Sequence, residues 1–176
     1  NGLYFATTTA PYRDRQDAGI MTTALNLRPD IRAADFTDGT KAGTTALLAA
    51  CDAVSAGSAK NMLLCAADCR PARAGGTEEH IYGDAGAALL IGDNQVVASV
   101  EGSYSVSRDF MGHWRLEYDR FEHAAEDRFN RDIGYVGFVT EAIGGLLKQQ
   151  NLDITDVAKV IYPGPYAREH GAIAKK

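Results

Sequence analysis

The chain has 176 residues, a net charge of −5 and 45% hydrophobic residues, which suits an ordinary globular domain and excludes a disordered one. The acidic balance argues against a nucleic-acid binder and supplies no patch for an anionic membrane, and the apolar runs are far too short for a helical span. Three cysteines (Cys51, Cys65 and Cys69) without a secretory signal point to a reducing, cytoplasmic setting. Asn1–Phe5 lacks an initiator Met and reads as mid-strand, and Gly171–Lys176 stops inside an apparent helix start, so a fragment of a longer protein is expected.

Elements follow in alternating order. Leu3–Thr9 reads as a strand. Asp14–Leu27 carries Ile20, Met21, Ala24 and Leu25 at helical spacing, with Asp14 as N-cap. Ile31–Thr37 reads as a strand and the Ala-rich run Thr44–Ala56 as a helix stopped by Gly57. Asn61–Ala67 is an apolar strand, and Arg70–Glu79 a polar loop. Ala85–Ile91 and Gln95–Glu101 flank Gly92-Asp93-Asn94, which predicts a hairpin. Phe110–Arg131 is charged and aromatic, and reads as irregular structure or short helices over a cleft. Ile133–Gln149 predicts a helix and Val157–Tyr162 a last strand before Pro163-Gly164-Pro165. The alternation implies an α/β layer sandwich with a mixed sheet.

The most telling stretch is Asp38-Gly39-Thr40-Lys41-Ala42-Gly43-Thr44, a glycine turn between a strand and a helix N-terminus. Such a place favours negative charge and lowers a thiol's pKa. Its tip is Thr40, whose hydroxyl is a poor nucleophile without an adjacent base. The backbone N–H groups of Lys41–Gly43 do not depend on the side chains and suit an oxyanion. His80, His113, His123 and His170 are the imidazoles available. His113 with Trp114 either lines a cleft or packs in a loop; His80 and His123 sit in charged stretches and read as solvated. Cys51 reads as core. Cys65 and Cys69 make a C-x3-C with only His80 nearby, short of the four donors a tetrahedral metal site requires, so no metal is expected.

Taken together, these motifs resemble the thiolase superfamily, in particular hydroxymethylglutaryl-CoA synthases of the archaeal and bacterial type and ketoacyl synthase III relatives. Thr40-Lys41-Ala42-Gly43-Thr44 is similar to the family's Cys-Lys-Ala-Gly-Thr nucleophile turn. Tyr82–Gly92 is similar to its Phe-Gly-Asp-Gly-Ala-Gly-Ala strand, and Asp109-Phe110 with His113-Trp114-Arg115 to its Asp-Phe-Trp-Arg segment. The run from Ile133 to Tyr162 resembles the approach to its His-Gln-Pro-Asn motif. The likeness implies a layered α-β-α-β-α sandwich over 1–176, an incomplete copy holding mostly the N-terminal half and the start of the C-terminal half.

The resemblance also implies site residues. The family's acylated Cys falls on Thr40, its acid/base Glu on Thr8, and its His on Pro163, or on Tyr162 one residue earlier. Tyr162 is then either a general acid or a strand-end tyrosine with a bonded hydroxyl, and His170 either a replacement imidazole or a surface residue. Lys41, Gly43 and Arg115 would meet a coenzyme A thioester, Lys41 being equally readable as a solvated first-turn residue. With all three functional side chains exchanged, ordinary Claisen condensation is not expected. One expectation is an acyl-CoA enzyme that makes or breaks a C–C bond beside a thioester through an enolate, with Tyr162 or His170 moving a proton. Another is an inactive thiolase-fold subunit that binds acyl-CoA or a partner. A third is a working synthase with a conservative change at the nucleophile. The likeness implies a homodimer, or a hetero-oligomer with a thiolase-like or OB-fold subunit, and Leu3–Thr9 would suit an interface.

Overall fold

The computed structural model describes residues 1–37 and 39–175, so Asp38 of the glycine turn and Lys176 lie outside the described residues. Those residues form two compact units, 1–70 with 82–99 and 71–81 with 100–175. In the first, β1 (Gly2–Ala6) pairs in parallel with β2 (Arg32–Phe36) on one side and β3 (Met62–Cys69) on the other. β4 (Asp84–Ile91) runs antiparallel to β3, which gives a mixed sheet of order β2-β1-β3-β4.

Successive side chains of a strand point to opposite faces, and β1 buries both sets. Leu3 and Phe5 pack with Cys65 and with Ala18 of α1 (Asp17–Ala24). Tyr4 and Ala6 pack with the alanine stripe Ala42, Ala46, Ala50 and Ala53 of α2 (Ala42–Ser55). Residues three and four apart share a helix face, so this stripe lets α2 approach the sheet closely. Gly57, at φ 70°, ends α2 in the left-handed conformation that glycine adopts without a Cβ penalty.

Several expectations are corrected here. Leu3–Thr9 is not an interface strand: β1 is flanked on both sides and Leu3 is 0% exposed. The edges of this sheet are β2 and β4, and on β4 residues Asp84–Leu90 are exposed. Asp14 does not cap α1. The helix begins at Asp17, and the carboxylate of Asp35 on β2 accepts from Asp17 N (2.8 Å) and Ala18 N (2.7 Å). The cap is supplied across the fold, where no local spacing signals it. Neither Gln95–Glu101 nor Val157–Tyr162 forms a strand. Their β-branched residues stand in solvent, Val97 at 105% and Ile161 at 94% exposure. Strand preference measures fit to a half-buried pleated surface, and neither run meets one.

Asp17 is buried with its Oδ1 unpartnered. Burial, then the nearby charge of Asp35, pushes its carboxyl above the ordinary value of 3.8, opposed by Arg15. A raised acid stabilises the fold fully below its unfolded pKa and loses that contribution as pH rises through the folded one. Asp17→Asn should therefore be more stable than wild type at neutral pH, by on the order of 1 kcal/mol. The gap should close as pH falls towards 3.8, as followed by urea unfolding at a series of pH values.

In the second unit, 100–131 is mostly irregular. β5 (His113–Trp114) pairs antiparallel with β6 (His123–Ala124), and a single turn, α3 (Asp127–Phe129), follows. The expected helix over Ile133–Gln149 divides into a π-helical stretch, Asn130–Gly137, and α4 (Phe138–Gln150). Gly134 lets the Phe110 ring rest on the helix backbone, since a Cβ there would lie 2.7 Å from Phe110 Cε1. Phe110 also stacks on Phe129 at 4.8 Å and meets Phe138 edge-on at 5.1 Å. Asn151 ends α4 at φ 53°, and α5 (Ala167–Ile173) closes the unit.

Candidate active site

Because β1, β2 and β3 run parallel, their C-terminal ends open to the same side of the sheet, where α/β folds place ligands. A cleft of about 310 Å³ lies there, walled by Ala6–Thr8, Ala66–Asp68 and Ala85–Ala87. The turn after β2 and the start of α2 complete it through Gly39, Thr40, Ala42 and Gly43. The small residues of β4 leave the space. A Cβ on Gly39 or Gly43 would meet nothing within 4 Å, so the cleft is open over the turn.

Thr40 is exposed and lines this cleft together with Thr8, as the turn's position implies. Gly43 lies in the first turn of α2, where N–H groups lack intrahelical partners and the helix dipole is positive. Of the amides expected to hold an oxyanion, that of Ala42 is already committed to Gly39 O at 2.9 Å. Lys41 is exposed and is not among the lining residues. The described lining residues bring no imidazole and no amine to Thr40.

The residue that sequence reasoning missed is Asp68, at the end of β3. Its Oδ1 accepts from Thr8 N at 2.6 Å, from the Thr7 and Thr8 hydroxyls at 3.1 Å each, and from the Thr9 hydroxyl at 3.3 Å. Thr9 Oγ1 in turn accepts from Cys69 N at 3.0 Å, and Thr7 Oγ1 from Thr9 N at 3.0 Å. The turn Thr7-Thr8-Thr9 is thus tied to β3 by one carboxylate. A signal was present: Asp68 interrupts the otherwise apolar Met62–Cys69 at its C-terminal end. Nothing local links it to residues 60 positions earlier.

Tyr162, Pro163 and His170 gather in the second unit. The Tyr162 ring stacks on the His170 ring with centroids 4.1 Å apart, and the Tyr162 hydroxyl donates to the His170 carbonyl at 2.8 Å. The Tyr135 hydroxyl donates to the Pro163 carbonyl at 2.6 Å. Burial, then Tyr162 and Glu169, pushes the Tyr135 phenol up. Arg115 follows β5 and is exposed. His113 is exposed, and His80 lies exposed in a 3-10 turn. His123 is held rather than simply solvated: it stacks on Trp114 at 5.6 Å and its Nε2 lies 3.0 Å from Asp119 Oδ2.

Cys65 is buried, Cys69 exposed and Cys51 half-buried, all as free thiols. A hydrogen bond to Asp84 and that residue's charge push the Cys69 thiol up. Among the described residues, no three His, Cys, Asp or Glu side chains converge to hold a metal, and no helix is long and apolar enough to cross a membrane.

No family model matches the chain. It is 31% identical over 175 residues to the hydroxymethylglutaryl-CoA synthase of Pyrococcus furiosus, covering 98% of this chain and 50% of that protein. The synthase of Pyrococcus horikoshii is 32% identical over 165 residues, covering 93% and 47%. Among solved structures, an HMG-CoA synthase complexed with CoA superimposes with a TM-score of 0.82 at 19% identity, over 90% of this chain and 40% of that one. The chain is thus similar in sequence to hydroxymethylglutaryl-CoA synthases and has a thiolase-like fold.

The fold of this synthase-like chain is shared more widely. The 3-oxoacyl-(acyl carrier protein) synthase III of Pseudomonas aeruginosa has a TM-score of 0.78 at 17% identity, over 99% of this chain and 57% of that one. MvaS in complex with 3-hydroxy-3-methylglutaryl coenzyme A has a TM-score of 0.76 at 20% identity, over 92% and 39%. The synthase-like chain spans about half the length of the curated relatives it matches, consistent with an incomplete thiolase-like copy. Its mixed sheet with helices on both faces agrees with the layered fold that the motifs implied.

Proposed function

We propose that the chain binds a coenzyme A thioester in the cleft at the β1–β3 strand ends and forms or cleaves the C–C bond next to the thioester carbonyl, without an acyl-enzyme. One observation carries this reading. A cleft facing the N-terminus of α2 has a hydroxyl, Thr40, at the turn and no imidazole or amine among its described lining residues. An unassisted hydroxyl does not acylate readily, whereas first-turn N–H groups still stabilise an enolate oxygen. The ligands bound by two structurally similar proteins, CoA and 3-hydroxy-3-methylglutaryl coenzyme A, support the choice of thioester.

Retro-aldol or decarboxylative chemistry suits such a site, since either passes through an enolate. Lys41 and Arg115 are the cations proposed for the coenzyme's phosphates. The Tyr162 hydroxyl is already given to the His170 carbonyl, so the His170 imidazole is the better proton carrier of that pair. The usual Cys, Glu and His positions are read as Thr40, Thr8 and Pro163, and the setting as a reducing cytoplasm.

Calorimetric titration with acetyl-CoA tests binding, and intact-mass measurement tests the missing covalent step. Saturable binding with no mass change is expected. Acetylation of the wild-type protein, lost in Thr40→Ala, would overturn the non-covalent reading.

A second reading, an inactive subunit that holds acyl-CoA or a partner, is favoured by the open edge of β4, where Leu89 and Leu90 are exposed. In this reading β4 is the contact for a homodimer or for a thiolase-like or OB-fold subunit. Turnover of any acyl-CoA by the purified chain as a monomer counts against it.

A further inference from the structure

We propose that the run 157–162 is a docking site for a β-strand from a second polypeptide, one equivalent to the half of the synthases that this chain does not cover. The contact is separate from β4 and does not depend on what the cleft binds. Val157-Ala158-Lys159-Val160-Ile161-Tyr162 has the composition of a strand. Among the described residues, no hydrogen bond joins Ala158, Lys159, Val160 or Ile161 to a neighbour. All four are exposed, Val160 at 44% and Ile161 at 94%. Free backbone N–H and C=O groups beside apolar side chains make a template for another strand.

The run is tied at both ends. Upstream, the 3-10 turn Ile154–Asp156 is closed reciprocally: Asp153 Oδ1 accepts from Thr155 N at 2.9 Å, and Asp156 Oδ2 from Asp153 N at 2.8 Å. Val157 N donates to Ile154 O at 3.2 Å. Downstream, the Tyr162 hydroxyl and ring are fixed on His170, and the Pro163 carbonyl accepts from the Tyr135 hydroxyl. The ends are held while the four residues between them keep their backbone groups unpaired. A segment held in this way loses less conformational freedom when a partner pairs with it.

The occupant follows from what the chain has and lacks. The match to the Pyrococcus furiosus synthase covers 98% of this chain and 50% of that protein, so about half of that relative has no counterpart here. Neither sheet of the described residues takes in the run. A synthase that pairs the equivalent run must draw the neighbouring strand from its uncovered half. A fitting strand brings apolar side chains to Val160 and Ile161 and an acidic one opposite Lys159, pairs that stabilise a ladder. A second copy of this chain would offer the same run and set Lys159 close to its own counterpart, which like charges oppose.

The test co-expresses this chain with the part of the Pyrococcus furiosus synthase that lies outside the match, tagged for purification. A complex of one copy of each is expected by native mass. Amide hydrogen exchange at 158–161 should slow by about 10-fold or more in that complex, as pairing into a ladder requires. Val160→Pro removes an N–H that bonds nothing in the chain alone, so the urea midpoint of the chain should stay while affinity falls by about 10-fold or more. Ile161→Asp, at a side chain 94% exposed, should weaken the complex likewise and keeps the test decisive if the proline variant fails to fold. No complex, a complex without protection at 158–161, or wild-type affinity in both variants overturns the proposal. Protection at 158–161 in the chain alone, rising with concentration and with the mass of two copies, also overturns it and makes the occupant a second copy.

Discussion

Thr40→Cys should make the chain a protein that acetyl-CoA acylates. The substitution puts a thiol, of ordinary pKa about 8.5, at a helix N-terminus where the dipole and first-turn N–H groups favour the thiolate. Cysteine lacks the methyl branch of threonine, and nothing lies within 4 Å of a Cβ built on Gly39 or Gly43, so no steric barrier stands at the turn. Incubation with acetyl-CoA should add one acetyl group by intact mass, at least about 100-fold faster than any change in wild type. Digestion should place the group on residue 40. An unmodified Thr40→Cys protein that still binds acetyl-CoA would show that the turn no longer activates a nucleophile. It would also remove the reading in which this chain is a working synthase with one conservative change. If the variant gains a covalent step but no condensation, the missing part lies at Thr8 and Pro163 rather than at the turn.

Met62→Ala should cost about 2–5 kcal/mol, the range for emptying a fully buried methionine site. Met62 is 0% exposed and lies opposite Gly2 in the β1–β3 ladder. Its side chain occupies the space beside Gly2, where a Cβ would lie 2.7 Å from Met62 Cε and 2.8 Å from Met62 Sδ. The two residues therefore form one packing unit: a missing side chain on β1 filled by a long, adaptable one on β3. Gly2→Ala should also destabilise, by overpacking. Urea unfolding should show a lower midpoint for Met62→Ala with an unchanged slope. A midpoint within error of wild type would mean that the β1–β3 contact contributes little to the core.

Much of the first unit was legible from residue pattern. The apolar run at Leu3, the alanine periodicity of α2, Gly57 and the Gly-Ala strand at β4 are local signals, and each appears close to its expected position. The site was legible only in part. Thr40, Thr8 and Gly43 line one cleft, as the motif order implied. Lys41 does not line it, and Tyr162, Pro163 and His170 are grouped in the other unit through the Tyr162–His170 bond and ring stack. The unpaired runs 95–101 and 157–162 show the limit of strand reading: β-branched composition states a preference, but pairing requires a neighbouring ladder and a face to bury.

Sequence alone determined the strand–turn–helix around Thr40 and the mixed α/β order, because turns, caps and periodicity are written within a few residues of one another. Tertiary structure alone decided which carboxylates matter. Asp35 caps a helix 18 residues earlier in the chain, and Asp68 gathers three threonine hydroxyls from a turn 59 to 61 residues away. A carboxylate's hydrogen bonds form wherever folding brings donors within about 3 Å, and no spacing rule along the chain encodes that encounter.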